Sequence, residues 1–218
     1  ICIYAEQFDG VVEPCTGELV TAARAIAAQT GQSVTLLVLG QDIRALAKQL
    51  AFPEVQVAAV QTDLSAFQDD ALSAVVAQAL EQLSPASVLI PADRTARSLF
   101  SRVAVRLDAG LTADCSELFL GEDGAFLQKK SAFGANAMVV TAETSEPKLV
   151  TIQMGVYEPC PLCSKVPAVQ EMTAAKPSSR VEVLEVVEST EESITGAEKI
   201  LSLGRGALAG DNLQLARS

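Results

Sequence analysis

Two cysteines separated by two residues form the sharpest local motif of this sequence. Cys160 and Cys163 lie in a stretch rich in proline, serine and alanine. A pair at this spacing can act as a redox dithiol, or it can supply half of a zinc or iron–sulfur site. A four-cysteine site needs two more ligands, and Cys2, Cys15 and Cys115 are scattered along the chain. Incidental thiols are therefore the favoured interpretation, and a working redox or metal pair is the alternative.

A glycine turn near the carboxyl end of the sequence is the second candidate. Gly204, Arg205 and Gly206 directly follow an apolar run, residues 197–203, that is typical of a strand. Glycines after a strand let backbone amides approach a phosphate, and the start of a helix adds a dipole that favours an anion. Arg205 adds a positive charge suited to a dinucleotide or a flavin. The alternative is an ordinary turn between a strand and a helix.

Arginines surround one predicted helix, residues 96–107, in a chain that is otherwise poor in basic charge. Arg102 and Arg106 lie four residues apart, so they share a face that can hold an anion or an acidic partner. Arg94 and Arg97 lie near the start of the same helix. A solvated face is the favoured interpretation of this cluster.

Carboxylates later in the chain are interpreted as structural, and no catalytic residue is predicted. Asp108 and Asp114 frame a glycine turn, where a structural role is favoured over acid–base chemistry. An acidic stretch follows further on, and it is interpreted as a solvated edge that discourages strand pairing. Its members are Glu182, Glu185, Glu188, Glu191 and Glu192.

The overall composition narrows the classes of function. The chain has 218 residues, 49% of them hydrophobic, and a net charge of −11. This charge argues against nucleic acid or an anionic membrane as a partner, because phosphates would be repelled. The sequence contains no histidine, which excludes histidine-based triads and metal ligands. With no secretory signal, no membrane-spanning run and an odd cysteine count, we expect a cytoplasmic protein without a disulfide framework.

The amino-terminal half alternates apolar strands with amphipathic helices. The first helix is predicted to begin after Thr16 and to end at Gly31, and the second is predicted to begin after a cap at Asp42. Two more helices are predicted over residues 69–83 and 96–107. Fully apolar strands that alternate with such helices indicate βαβ units and a parallel sheet covered on both faces. The predicted strands comprise residues 1–5, 33–39, 55–60 and 87–91.

The pattern of predicted secondary structure changes after this region. Four short strand-like runs without intervening helices predict antiparallel strands added to the parallel sheet. An extended crossing segment, residues 158–179, and a last strand, residues 181–187, complete the first domain, predicted as residues 1–194. The strand at 197–203, the glycine turn and a helix capped by Asp211 then predict the truncated start of a Rossmann-like second domain, residues 195–218. The four runs comprise residues 113–120, 125–131, 137–144 and 149–154.

Three stretches together resemble the α subunit of electron transfer flavoproteins. Residues 96–118 predict a helix, a glycine turn and a strand that contains Asp114. Residues 132–155 begin with a Phe-Gly-x-Asn run that leads into paired strands. Residues 200–206 are similar to the Gly-Arg-Gly turn that opens the flavin domain of that family. The resemblance covers nearly the whole chain, and it departs from the family at Gln153-Met154-Gly155, where Arg-Pro-Gly is usual.

This resemblance implies an electron carrier rather than an enzyme. Members of the family are heterodimers of an α and a β subunit, and they carry electrons from acyl-CoA or related dehydrogenases, as in fatty acid oxidation, through a bound FAD. The first domain of the α subunit is a scaffold that packs against the β subunit. Gly204, Arg205 and Gly206 are then expected to contact FAD in the full-length protein. We expect this chain alone to retain no cofactor, because one turn cannot enclose so large a ligand.

Two rival classes remain open from the residues themselves. The predicted sheet also resembles the HUP-like fold of adenine-nucleotide hydrolases, so a nucleotide-binding module of universal-stress type is one alternative. However, the loops after the strands, residues 7–17, 40–42 and 92–95, lack the glycine cluster that cradles phosphates in such proteins. The other alternative is a redox or metal protein built on Cys160 and Cys163.

Overall fold

The computed structural model describes residues 1–132, 137–142, 144–165, 167–174, 177–187, 197, 199–208 and 214. The chain divides into two compact units, Ile1–Val183 and Leu184–Ser218. The first unit contains four helices: α1 (Thr16–Thr30), α2 (Ile43–Gln49), α3 (Asp69–Leu83) and α4 (Arg94–Arg106). Its strands are β1 (Cys2–Ala5), β2 (Gln7–Phe8), β3 (Val11–Val12), β4 (Val34–Gly40), β5 (Val55–Gln61), β6 (Ser87–Pro91), β7 (Leu111–Leu120), β8 (Phe126–Ala132), β9 (Ala137–Ala142), β10 (Lys148–Ile152) and β11 (Val169–Met172).

A nine-stranded sheet in the order β11-β5-β4-β1-β6-β10-β7-β8-β9 forms the centre of the first unit. The strands from β11 to β7 are parallel, and β8 pairs antiparallel with both β7 and β9. The predicted α/β fold, a parallel sheet extended by antiparallel strands, is therefore confirmed. The chain passes from β1 outward to β4 and β5 and then returns to β6 on the other side of β1. The sheet thus has a topological switch point between β1 and β6.

Hydrophobic layers cover both faces of the parallel strands. One layer packs α1 and α2 on the sheet, and the other packs α3 and α4 on the opposite face. Consecutive residues of β1 and β6 are all buried, because their side chains point alternately into the two layers. In the second layer the rings of Tyr4 and Phe100 meet edge-on with centroids 5.0 Å apart. The carboxyl ends of β1 and β6 are therefore held rigidly from both sides.

Short-range signals define the helix ends. The Asp42 side chain accepts a hydrogen bond from the Ala45 N–H at 3.0 Å, which confirms the predicted cap of α2. Gly31 ends α1 with a positive φ of 68°, a conformation that glycine adopts without steric cost. Helix α4 begins two residues before its predicted start, because Asp93 caps it by accepting a hydrogen bond from the Ala96 N–H.

The four strand-like runs after α4 differ in direction. Strands β7, β8 and β9 form the predicted antiparallel extension. Strand β10, in contrast, inserts between β6 and β7 and runs parallel to both. Its residues Leu149, Val150 and Ile152 are buried, as a central strand requires. This insertion places the end of β10 at the same edge of the sheet as the ends of β1 and β6.

The predicted last strand at residues 181–187 is wrong. These residues form no regular structure, and Leu184 and Val187 are 87% and 78% exposed. Strand β11, inside the predicted crossing segment, instead pairs with β5 at the edge of the sheet. The physical reason is burial: Met172 of β11 packs into the layer of α3 and α4, whereas the side chains of Val181, Leu184 and Val187 are exposed.

The second unit differs from its predicted strand–turn–helix start. Residues 199–203 form no strand, and Ile200 and Leu201 are exposed because they have no neighbouring strand in the described part of the chain. A 3-10 turn, Arg205–Leu208, follows. The predicted helix cap at Asp211, the run at 133–136 and the acidic residues Glu188, Glu191 and Glu192 lie outside the described residues. The predicted domain boundary at residues 194 and 195 stays a prediction.

Within the described part of the chain, no helix combines the length and the apolar character that crossing a membrane demands.

Candidate functional site

The crevice at the switch point is the place where a sheet of this topology binds ligands. Glu6 directly follows β1, and Asp93 follows β6 after one intervening residue. Both side chains belong to the carboxyl ends of neighbouring parallel strands, so they meet at the same edge of the sheet. The site therefore brings together two carboxyl groups from distant parts of the sequence.

The amino end of α4 begins beside Asp93, which caps it. The Asp93 Oδ1 atom accepts a hydrogen bond from the Ala96 N–H at 2.9 Å, and the Asp93 carbonyl accepts the regular helix bond from the Arg97 N–H at 3.2 Å. A nucleotide phosphate bound at the start of the helix would compete with Asp93 for the Ala96 amide. The acidic side chain therefore disfavours a phosphate at this position.

The two carboxyl groups share this edge of the sheet. Burial raises the pKa of Glu6 to about 9, with the neighbouring Asp93 carboxyl and the charge of Glu13 adding to the effect. The Asp93 Oδ2 atom is buried, and no hydrogen-bond donor among the described residues reaches it. These surroundings favour the neutral form of Glu6.

Further groups around the pair reinforce its acidic character. Burial, together with the neighbouring carboxylates of Glu13, Glu6 and Asp93, raises the pKa of the Cys15 thiol to about 12. Burial also raises the pKa of Tyr4 well above its usual range. A thiol and a phenol that keep their protons are poor nucleophiles and poor bases at neutral pH.

A small hairpin, formed by β2 and β3, directly follows Glu6 and packs against β4 and α2. Gln7 Nε2 donates to the Leu39 carbonyl at 3.1 Å, and Gln7 Oε1 accepts from the Gly10 N–H at 2.9 Å. Gln49 binds the other strand, since its Oε1 accepts from the Val12 N–H at 3.0 Å and its Nε2 donates to the Gly10 carbonyl at 2.7 Å. Amide side chains therefore attach the hairpin to β4 and α2.

Sequence reasoning missed both the hairpin and the acid pair. The hairpin had a signal: Asp9 and Gly10 both adopt positive φ, 49° and 79°, as the central residues of a tight turn between strands do. At its tip Phe8 stacks edge-on against Phe67, which precedes α3, with ring centroids 6.0 Å apart. Glu6 and Asp93 had no comparable local signal, because only the pairing of β1 with β6 brings them together.

The cysteine pair lies in the first part of the crossing segment, residues 158–165, and is attached to α1 and to the loop after α2. The Cys160 N–H donates to the Gly17 carbonyl of α1 at 2.9 Å, and Arg24 Nη1 lies 3.7 Å from the Cys160 Sγ. The Cys163 N–H donates instead to the Ala51 carbonyl at 2.6 Å. All five cysteines are free, and the described residues contain no group of three metal-ligating side chains.

The arginines of α4 are divided between different partners. Arg106 points to α3, where its Nε donates to the Ser73 hydroxyl at 3.0 Å and its Nη2 to the Asp70 carbonyl at 3.2 Å. Arg97 forms an ion pair with Asp114 of β7. Arg102 is exposed. The structure therefore does not bring Arg102 and Arg106 together around an anion.

Asp114 marks an irregularity in β7. Its φ of 60° is left-handed, and the pairing of β7 with β10 shifts register at this position. The Asp114 N–H donates to the buried Thr151 hydroxyl at 2.8 Å, which satisfies a backbone group that the bulge removes from the ladder. Asp108 also has a positive φ, of 50°, just after α4. Both aspartates therefore have structural positions.

The glycine turn of the second unit is open. Gly204, Arg205 and Gly206 are exposed, and no atom lies within 4 Å of the place where a Cβ on either glycine would stand. The Arg205 side chain is exposed, and the Gly204 carbonyl accepts a hydrogen bond from the Ala207 N–H at 3.0 Å. Their contact with FAD stays a prediction.

Residues 1–191 match the family described as electron transfer flavoprotein domain. The chain belongs to the electron transfer flavoprotein family. It is 31% identical over 223 residues to the protein of Acetobacterium woodii named lactate dehydrogenase (NAD(+),ferredoxin) subunit LctC, with 99% of this chain and 53% of that protein covered. It is 32% identical over 225 residues to protein FixB of Clostridium saccharobutylicum, covering 99% of this chain and 66% of FixB.

The similarity extends to α subunits of the electron transfer flavoprotein family by name. Electron transfer flavoprotein subunit alpha of Clostridium acetobutylicum is 30% identical over 166 residues, with 74% of this chain and 49% of that subunit covered. The resemblance inferred from the sequence is thereby confirmed. The chain spans about half to two thirds of the length of these relatives.

Proposed function

We propose that this chain is the scaffold part of an electron transfer flavoprotein α subunit, which carries electrons and catalyses no reaction by itself. The observation that carries the proposal is the family match over residues 1–191, which includes the whole nine-stranded sheet. The switch-point crevice supports it. Its acidic side chains and the capping of the Ala96 amide by Asp93 make this edge of the sheet a poor place for a phosphate, although it is where a nucleotide-binding protein of this topology would hold one.

We propose that FAD belongs with the second unit rather than with the crevice. Gly204 and Gly206 have open space around them, and Arg205 is an exposed cation, so this turn suits an anionic cofactor group. The crevice does not suit it, because the acidic side chains of Glu13 and Asp93 disfavour a diphosphate there. When bound, the flavin supplies one- and two-electron redox chemistry. The first unit of this chain would then bind and orient the β subunit, and the Arg205 guanidinium would bind an anionic group of the cofactor.

The proposed partners are an electron transfer flavoprotein β subunit and a flavin-linked dehydrogenase, such as an acyl-CoA dehydrogenase. The names of the relatives point to more than one kind of redox partner, because one is called a lactate dehydrogenase subunit and another, from Anaerotignum propionicum, an acryloyl-CoA reductase electron transfer subunit. We place this activity in the cytoplasm, where free thiols such as the five of this chain persist.

Co-expression tests this proposal. The complete reading frame that encodes this chain is produced with its β subunit, and the purified complex is examined for visible flavin absorbance and for reduction by a dehydrogenase. We expect a yellow heterodimer, and we expect Arg205→Ala to lose flavin while Arg102→Ala, a matched exposed arginine, keeps it. A heterodimer that is colourless and cannot be reconstituted with FAD would contradict the proposal.

The nucleotide-binding alternative has a separate test. The isolated chain is titrated with AMP and with ATP by calorimetry. We expect no saturable binding, because Asp93 occupies the Ala96 amide at the start of α4 and adds an acidic group there. Saturable binding that Asp93→Ala strengthens, since this change frees that amide and removes the acid, would instead assign the crevice to a nucleotide.

A further inference from the structure

The first turn of α3 binds a segment that is far away in the sequence. This segment, residues 177–181, is called the strap, and it contains neither helix nor strand. The Ser179 hydroxyl donates a hydrogen bond to Asp70 Oδ1 at 2.7 Å, and the Arg180 N–H donates one to Asp70 Oδ2 at 2.6 Å. A single carboxylate therefore binds both a side chain and the backbone of the strap.

Two further hydrogen bonds complete this junction. The Val181 N–H donates to the Ser179 hydroxyl at 2.9 Å, so this hydroxyl is at once a donor and an acceptor. Gln68 Nε2 donates to the Val181 carbonyl at 3.0 Å, and Gln68 Oε1 accepts from the Ser65 N–H at 2.9 Å. The Gln68 amide thus joins the strap to the loop before α3.

Asp70 is held in place from the side of α4 as well. Arg106 Nη2 donates to the Asp70 carbonyl at 3.2 Å, and Arg106 Nε donates to the Ser73 hydroxyl at 3.0 Å. The hydrogen bonds from the Arg180 N–H and the Ser179 hydroxyl lower the pKa of Asp70, so this carboxylate is charged at neutral pH. A charged acceptor forms stronger hydrogen bonds than a neutral one.

The strap is attached by polar contacts rather than by a hydrophobic layer. Pro177 and Val181 are its apolar residues, and neither side chain is buried. Ser178 and Arg180 are exposed. Segments with few buried apolar contacts detach at a lower free energy than the core unfolds. The hydrogen bonds to Asp70 and Gln68 therefore decide how often the strap leaves α3.

The strap lies just before Val183, the last residue of the first unit. We propose that Asp70 is a releasable anchor, which fixes the point where the chain leaves the first unit and from which the strap detaches as one segment while the sheet stays folded. Upstream of the strap, Gln82 Nε2 donates to the Thr173 carbonyl at 3.1 Å. Release of the strap lengthens the connection into the second unit by up to about eight residues, or roughly 27 Å of extended chain.

Only the consequence of this anchor rests on the proposed function. The second unit is the proposed location of FAD, so Asp70 would set the length of the connection through which that unit is attached. A longer connection lowers the effective concentration of an attached unit. The anchor itself requires neither a flavin nor a β subunit, so it can be tested in this chain even if the proposed function is wrong.

Limited proteolysis tests the anchor, because trypsin cleaves after Arg180, inside the strap. When opening is fast, the cleavage rate follows the population of the detached segment. The rate is measured by mass spectrometry in the 218-residue chain and in its Asp70→Ala and Asp69→Ala variants. Asp69 is the matched control, since it lies in the same turn and accepts a hydrogen bond from Ser98 of α4 instead of from the strap.

We expect Asp70→Ala to raise the rate of cleavage after Arg180 by about tenfold or more, because it removes two hydrogen bonds to a charged group. We expect Asp69→Ala to change this rate by less than about twofold. Cleavage after Lys199, which is exposed in the second unit, is the internal reference and should be equal in the three proteins.

A second variant and a denaturant series keep the test decisive if Asp70→Ala folds poorly. Ser179→Ala leaves α3 unchanged, and we expect it to raise cleavage after Arg180 by a smaller factor. In the wild type this cleavage should not accelerate in urea below the unfolding transition, because detachment exposes little surface. Unchanged cleavage in Ser179→Ala and Asp70→Ala would overturn the proposal. An equal rise in Asp69→Ala, or wild-type cleavage that follows global unfolding, would overturn it too.

Discussion

The Gly17 carbonyl accepts a hydrogen bond from the Cys160 N–H at 2.9 Å, and the two residues are in close contact. A Cβ on Gly17 would lie 3.2 Å from the Cys160 carbonyl oxygen and 3.2 Å from the Pro159 Cβ. Thr21 binds the same segment, since its hydroxyl donates to the Glu158 carbonyl at 2.7 Å. The crossing segment thus lies directly on the first turns of α1, and this fit depends on a residue without a side chain.

Replacing Gly17 with alanine tests that fit. Alanine favours a helix over glycine by about 1 kcal/mol, yet here its methyl group must displace backbone atoms of the crossing segment. We therefore expect Gly17→Ala to lower the free energy of unfolding by about 1 kcal/mol in urea denaturation. Ala25→Gly, at an exposed position of α1, measures only the difference in helix propensity between alanine and glycine. A Gly17→Ala variant more stable than the wild type would show that the segment moves away at no cost.

The buried acid pair predicts an unusual dependence of stability on pH. Folding raises the pKa of Glu6, so the folded chain binds this proton more tightly than the unfolded chain does. Its contribution is greatest below the ordinary pKa of glutamate and is lost as the pH rises toward about 9. We expect Glu6→Gln to be the more stable protein at about pH 8. In the wild type the free energy of unfolding should fall between about pH 6 and about pH 8. We expect this fall to be smaller in Glu6→Gln by about 1–2 kcal/mol, allowing for solvent screening.

Thermal unfolding at several pH values measures this effect, with Glu122→Gln as the control that keeps the wild-type slope. Equal slopes in the wild type and in Glu6→Gln would show that Glu6 ionises normally in the folded protein.

Two arginines of α4 predict different effects on stability. Arg106 makes two hydrogen bonds to α3, through Ser73 and Asp70, whereas Arg102 is exposed on the same helix. We expect Arg106→Ala to lower the free energy of unfolding by about 1 kcal/mol, and Arg102→Ala to change it by less than about 0.5 kcal/mol. Chemical denaturation of the two variants gives the comparison. Equal losses would mean that the contacts between Arg106 and α3 contribute nothing.

The thiols should react in a definite order. Burial raises the pKa of Cys2 to about 12 and that of Cys115 to about 11, and both side chains are fully covered. Cys163 is partly exposed, while Cys160 is buried under Arg24. We expect a water-soluble thiol reagent to modify Cys163 well before Cys2, Cys115 or Cys160, as peptide mass spectrometry would show. Simultaneous protection of Cys160 and Cys163 by one zinc ion would favour a metal site instead.

The sequence predicts the features that local signals specify, and it does not predict the features that depend on pairing between distant residues. Helix α3 and strand β6 have the predicted bounds. An apolar face at helical spacing specifies the helix and a short apolar run specifies the strand, and both patterns involve only residues that are close in the sequence. The caps at Asp42 and Gly31 are equally local. The insertion of β10 beside β6, the choice of β11 rather than residues 181–187 for the edge, and the meeting of Glu6 with Asp93 depend on residues far apart in the sequence.

Strand β11 has a consequence for how the chain is made. It completes the sheet by pairing with β5, although Val169 is synthesised long after its partner Val57. Until the ribosome has released Met172, the backbone N–H and C=O groups along the outer side of β5 have no strand to bind. An unpaired edge of this kind is a template for association with other chains. Nascent chains that stall before Val169 should therefore be the form of this protein that most needs a chaperone.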